Sequence, residues 1–153
     1  MVIMKFCAYS YRSSVLCFLL LFTFFLACQT DQDNLTLSSS FEDHLLKGNS
    51  YTDAGDYQNA TLEYTKAIDE NPNNALAYFS RGAVYHIKEK YEEAISDYTK
   101  AIEIDPSLIV AYHNRSNAYK QVGLLDKAEA DITKVQELNK LLEDAKKRSD
   151  GPK

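Results

Sequence analysis

Apolar residues fall along this chain in two patterns. From Val15 to Cys28 the residues VLCFLLLFTFFLAC form an uncharged apolar run, and the polar stretch QTDQDN follows it directly. From about residue 41 the apolar positions thin to one in every three or four, the spacing that places them along one side of a helix. Tyr78, Gly82 and Tyr85 recur at i, i+4 and i+7; after a short break Tyr91, Ala94, Ile95, Tyr98, Ala101 and Ile102 make a second stripe of the same period. The pattern predicts paired helices, seven or fewer in all, and no strand.

The stripes themselves repeat. Shifted by 34 residues, the chain places Gly48 on Gly82, Tyr51 on Tyr85, Ala60 on Ala94, Tyr64 on Tyr98 and Pro72 on Pro106; a second shift brings Tyr119 and Ala128 into line. The triplet Thr65, Lys66, Ala67 likewise falls on Thr99, Lys100, Ala101. A fixed period of this length marks stacked supersecondary units, here 41–74, 75–108 and 109–142, with a tail to Lys153. Gly55 and Gly123 stand where the two helices of units one and three must part, and a left-handed glycine ends a helix there at little cost. Glu89 holds that place in unit two, so its turn has to close without glycine. Pro72 and Pro106 stop the second helices, Asn73 and Ser107 are placed to cap the helices that follow, and Ser39 with Glu42 makes a capping box at the start.

These residues resemble the tetratricopeptide repeat, a 34-residue helix-turn-helix, over residues 41 to 142. Its motif wants a large residue at unit position 4 (His44, Tyr78, Tyr112), a small one at 8 (Gly48, Gly82, Ser116) and an aromatic at 11 (Tyr51, Tyr85, Tyr119). Alanine at 20, an aromatic at 24, a small residue at 27 and proline at 32 complete it. Small residues at 8 and 20 let paired helices approach closely, and the tyrosines are expected to fill the space beside that crossing. The resemblance implies an all-α fold: an α-solenoid of three helix-turn-helix repeats with a C-terminal capping helix, the cap and tail spanning 143–153. Unit three departs from the motif, with Ile132 for the aromatic, Val135 for alanine and Lys140 for proline. With no proline to stop it, the last helix is expected to run from about Leu125 towards Arg148, its apolar stripe passing through Ile132, Val135, Leu138, Leu141 or Leu142, and Ala145. Lys134, Glu137, Lys140 and Glu143 make its outer side the solvated end that a solenoid requires.

The N-terminus changes the picture from a bare repeat to a membrane-addressed one. Lys5 and Arg12 precede an apolar run of about 14 residues, which reads as a signal peptide over residues 1–27 and is short beside the roughly 20 residues of a membrane span. All three cysteines (Cys7, Cys17, Cys28) lie in this segment, so no disulfide can staple the repeats. FLAC, ending at Cys28, resembles a bacterial lipobox, although Phe25 and Leu26 depart from its usual residues. That resemblance implies lipid on Cys28, a tether over residues 28–40, and a place in the cell envelope facing the periplasm or the outer membrane. A plain secretory signal and an uncleaved anchor are the alternatives. Removing Lys5 and Arg12 leaves 15 basic residues against 22 acidic ones, a net charge of −7. Such acidity argues against nucleic acid as a partner and leaves the lipid to attach the chain to a membrane.

Chemistry finds little foothold. His44, His86 and His113 have no second ligand type at metal-binding spacing, and there is neither a glycine-rich phosphate loop nor a Gly-x-Ser-x-Gly elbow. Glu92 and Glu93 begin a helix, where they complement its dipole. The sequons at Asn34, Asn59 and Asn114 matter only in a eukaryotic secretory route. No catalytic residue, metal or cofactor is expected.

Recognition remains, and the resemblance implies a concave groove lined by the first helix of each repeat. Its positions fall on Glu42, Leu45, Asn49, Thr52 and Asp53 in unit one; on Leu76, Phe79, Ala83, His86 and Ile87 in unit two; and on Val110, His113, Asn117, Lys120 and Gln121 in unit three. The middle of this set is apolar and calls for a cover: a protein or peptide segment anchored on Phe79, or the chain's own ends or a second copy as a homo-oligomer. Relatives that hold a chaperone's C-terminal carboxylate use a clamp of Lys, Arg and Asn, and here Leu45, Ser80, Val110 and Asn114 occupy all but one of its places. The expected function is a non-enzymatic adaptor or scaffold at the bacterial envelope; the alternative is a membrane-anchored co-chaperone or scaffold with its N-terminal anchor uncleaved.

Overall fold

A computed structural model describes residues 40–149, and over them the backbone is helical apart from short turns. Six helices follow one another: α1 over residues 40–53, α2 Tyr57–Glu70, α3 Ala75–Ile87, α4 Tyr91–Ile104, α5 Ile109–Gln121 and α6 Leu125–Ser149. Neighbours pack in sequence, α2 on α3, α3 on α4, α4 on α5 and α5 on α6, while α3 also touches α5 across the turn of the array. That is the order of a solenoid, in which each pair of helices buries its apolar side against the next. The expected signal peptide, Cys28, and Ser39 of the capping box lie outside the described residues.

The three intra-repeat turns are alike. Gly55 and Gly123 sit at φ 76° and 77°, and Glu89 takes the same left-handed conformation at φ 58°. The turn thus closes without glycine, as its sequence requires, at a cost of about 1 kcal/mol to a residue carrying a Cβ.

Close approach of paired helices rests on position 8. A Cβ built on Gly48 would stand 2.5 Å from the Tyr64 ring, and one on Gly82 would stand 3.0 Å from the Tyr98 ring and 3.1 Å from Asp97 Cβ. In unit three the partner is Ile132 rather than tyrosine. Position 8 there is Ser116, fully buried, whose hydroxyl donates to the Ala128 carbonyl at 2.9 Å. Tyrosine at 24 therefore goes with glycine at 8, and the smaller isoleucine with serine.

The core is built from alanines and the position-24 rings: Ala60, Ala67, Ala77, Ala94, Ala101, Ala111, Ala118, Tyr64 and Tyr98 are buried. The position-11 tyrosines do not fill the crossing as expected. Tyr51 is exposed, and Tyr85 and Tyr119 are half-buried with the Arg81 and Arg115 guanidinium groups 6.0 and 5.7 Å from their ring centres.

Each inter-repeat joint carries a polar staple that the apolar pattern gave no sign of. Arg81 donates to both carboxylate oxygens of Asp97 at 2.8 Å and, through Nη1, to the Thr65 hydroxyl of the preceding repeat at 3.1 Å. Arg115 repeats this on Asp131 and Thr99, at 2.7–2.8 and 3.0 Å. These paired hydrogen bonds with the carboxylates raise both guanidinium groups above their ordinary value, and bidentate geometry makes them stronger than simple ion pairs. Unit one differs. His44 Nδ1 meets Glu63 at 2.6 Å and Lys66 donates to the same carboxylate at 2.7 Å, while Lys47, at the arginine's place, pairs with Asp43 on its own helix. Lys66 first, and then His44, hold Glu63 below the usual carboxylate range.

Two local expectations are corrected. The cap of α3 is Asn74, whose side chain accepts from the Leu76 and Ala77 amides, while the amide of Asn73 is taken by the Asn71 side chain. Ser107 caps nothing; its amide and hydroxyl both donate to Asp105, and α5 starts after Leu108 with no side-chain cap. At the end of the described residues α6 runs unbroken from Leu125 to Ser149, as the absence of a proline at Lys140 leads one to expect, and Leu141, Leu142 and Ala145 on its expected stripe are exposed.

Candidate partner-binding groove

The face formed by α1, α3 and α5 carries the residues that sequence placed in the groove. Leu76 is 54 % exposed, Ile87 52 % and Val110 50 %, three branched aliphatic side chains on adjoining helices with most of their reach in solvent. On α3 they belong to one line, Leu76, Phe79, Ala83 and Ile87, with helical spacing along one side. Phe79 lies half-buried at the base of that line, its ring 5.8 Å from the buried Tyr98 ring. It is floor as much as contact surface.

Polar groups border this strip. His113 and Lys120 are exposed on α5, with Asn117 half-buried between them and its amide 3.5 Å from His113 Nδ1. His86 meets the Tyr91 ring edge-on, 5.3 Å between centres. On α1 the exposed Glu42 and Asp53 give the other border a negative charge.

Two predicted residues have other work. Leu45 is half-buried and packs against both apolar clusters of the first joint, beside Phe41, Ala67, Ala77 and Val84, so it belongs mainly to the core. Asn49 accepts a hydrogen bond from the Tyr64 hydroxyl at 2.7 Å, and the Thr52 hydroxyl stands 3.3 Å from the same phenol. The counterpart of Asn49 in unit two is Ala83, and the difference shows. The Tyr98 hydroxyl is buried without a hydrogen bond, and burial pushes this phenol up to about 12.

A second hollow, about 450 Å³, lies on α3 and α4 between Tyr78, Arg81, Asp97 and Glu103. Its two strongest charges already hold each other, which leaves little with which to bind a charged ligand. Among the described residues no cluster of three or more His, Cys, Asp or Glu side chains could hold a metal ion, and no helix is long and apolar enough to cross a membrane.

Three family models match the chain: one described as TPR repeat over residues 48–88, and two described as tetratricopeptide repeat over residues 75–108 and 97–130. The second TPR of Spaghetti (RPAP3), solved with the HSP90 peptide SRMEEVD, is 33 % identical at a TM-score of 0.63, covering 65 % of this chain and 92 % of that one. The chain belongs to the tetratricopeptide repeat family. The second TPR domain of human RPAP3 bound to the HSP70 peptide SGPTIEEVD is 34 % identical at a TM-score of 0.61, over 67 % and 83 % of the two chains. The TPR2B domain of yeast Sti1 in its pHsp70 complex is 27 % identical at a TM-score of 0.66, over 72 % and 89 % of the two chains. Comparison with curated proteins gave no match.

Proposed function

We propose that this tetratricopeptide repeat chain is a non-enzymatic adaptor that seats an apolar segment of a partner polypeptide in the groove of α1, α3 and α5, and that lipid on Cys28 tethers it at the bacterial cell envelope. One observation carries the groove reading: Leu76, Ile87 and Val110 stand at least half exposed on adjoining helices, an arrangement that water disfavours and a partner's side chains would cover. The groove is unlike those of the solved relatives that hold EEVD-ending peptides in what it offers a carboxylate. Leu45, Ser80, Val110 and Asn114 supply no cation at the clamp positions, and Glu42 and Asp53 repel a carboxylate, so the ligand is an apolar segment rather than an acidic tail.

Affinity capture from the native host tests this, comparing the wild-type chain with Leu76→Asp and Val110→Asp. Both substitutions fall on exposed side chains and should leave helicity unchanged while abolishing capture of specific partners. Equal capture by all three would overturn the groove assignment. Phe79→Asp is the poorer probe, because it would disturb the Tyr98 ring beneath. Palmitate labelling and the mass of the mature N-terminus test the tether; an unmodified N-terminus at Met1 would refute lipidation and favour the uncleaved anchor.

A further inference from the structure

The last helix outruns its partner. Ser116 on Ala128 and Arg115 on Asp131 set α5 antiparallel to α6 in a register that pairs Ile109 with about residue 136, so the remainder of α6, to Ser149, projects past the end of α5 by roughly 20 Å at 1.5 Å per residue. Leu138, Leu141, Leu142 and Ala145 continue along this projection the side of α6 that carries Asp131 and Val135, and Leu141 and Leu142 are each 60 % exposed. Because α6 is unbroken, this stripe cannot fold back into the groove of its own chain.

We propose that the projecting end of α6 occupies the groove of a second copy of this chain, reciprocally, in a two-fold dimer. The proposal rests on the groove reading above and names an occupant for it. An amphipathic helix with apolar residues at i, i+3, i+4 and i+7 is the ligand shape that a line of apolar side chains along α3 accepts. The borders are complementary in charge. The projection carries Glu137, Asp144 and Arg148 on one flank of the stripe, a net negative charge, and Lys146 on the other; the groove carries Lys120 on its α5 border, and Glu42 and Asp53 on its α1 border. One of the two directions of lie brings opposite charges together on both sides at once. Reciprocity doubles the buried area and closes the assembly, leaving no free end to extend a filament. Stacking the N-terminal face of one copy on the C-terminal face of another is disfavoured, since α1 presents the Asp43–Lys47 pair on its outer side. The dimer holds the groove closed until a partner of higher affinity displaces the helix.

Sedimentation of the full chain in mild detergent, with Leu142→Asp and Leu76→Asp variants, tests this. The wild type should be dimeric and each variant monomeric with unchanged helicity, and mixing the two variants should restore a heterodimer through the one undamaged helix and the one undamaged groove. A monomeric wild type overturns the proposal, as does loss of the dimer in Leu142→Asp but not in Leu76→Asp, which would mean that α6 pairs with itself. The groove reading is separable: Leu142→Asp keeps an intact groove and should still capture the partner, so failure of the dimer leaves that capture standing.

Discussion

Gly82 offers the sharpest test of how these repeats pack. Gly82→Ala ought to gain about 1 kcal/mol of helix propensity, since alanine replaces glycine in mid-helix. Against this, the new methyl would meet the Tyr98 ring at 3.0 Å and Asp97 Cβ at 3.1 Å. Neither neighbour can retreat, because Tyr98 is wholly buried and Asp97 is held by both hydrogen bonds from Arg81. Overpacking of this kind costs about 1–3 kcal/mol, so a net loss of about 1 kcal/mol is expected. The third repeat shows what would relieve it: Ser116 fits because Ile132 stands where a ring would be. Tyr98→Ile alone should cost about 2–3 kcal/mol for the lost ring, and the double variant Gly82→Ala/Tyr98→Ile should cost less than the two singles together by about 1 kcal/mol or more. Urea unfolding of a fragment from Gln29 onward, followed by far-ultraviolet circular dichroism, measures all four corners of the cycle. Additive losses, or a Gly82→Ala chain as stable as the wild type, would refute the reasoning that position 8 is small because position 24 is a ring.

Other expectations follow from neighbouring features. Glu89→Gly relieves a left-handed residue at φ 58° and should raise the urea midpoint by the equivalent of about 0.5–1 kcal/mol; an unchanged midpoint would mean that the turn is unstrained. Arg81→Ala leaves Asp97 buried and Thr65 without its donor, so a loss of about 2–3 kcal/mol is expected in the same assay, while a loss below about 0.5 kcal/mol would make the staple ornamental. Tyr64→Phe should destabilise by about 1 kcal/mol by removing the hydroxyl that Asn49 accepts, whereas Tyr98→Phe should be neutral or stabilising, because its hydroxyl is buried without a partner. The same phenol makes stability alkali-sensitive: its folded value lies above the ordinary 10, so its contribution is complete below pH 10 and is lost as the pH rises towards 12. Tyr98→Phe should flatten that part of the stability profile relative to wild type; coincident profiles would count against the assignment.

The periodic part of the architecture was readable from the chain because it depends on one variable, the distance between like residues. Gly55, Gly123 and the exceptional Glu89 fell at the turns, and the missing proline at Lys140 foretold the long last helix. Features that depend on which side chains meet were not. Asn73 and Asn74 are equally good caps by type, and only the turn that ties the Asn73 amide to Asn71 decides between them. Leu45 has the right position for the groove, yet the first joint draws it into the core beside Phe41 and Val84. The Arg81, Asp97 and Thr65 staple left a trace in the repeat alignment, since each has a counterpart 34 residues on. Identity of spacing does not reveal that a charged side chain on one helix reaches two others. The exposure of Leu76, Ile87 and Val110 was legible, because they sit at positions where the repeat does not require burial.

Thr65 and Thr99 present the same hydroxyl, in the same place, to the guanidinium that comes next. The joint is therefore interchangeable. Excision of residues 75–108 would bring Arg115 against Thr65 in the seating now filled by Arg81, and insertion of another copy would find Thr99 ready to receive it. Length in such a chain is free to change by whole units, with the coupling between units inherited rather than reinvented.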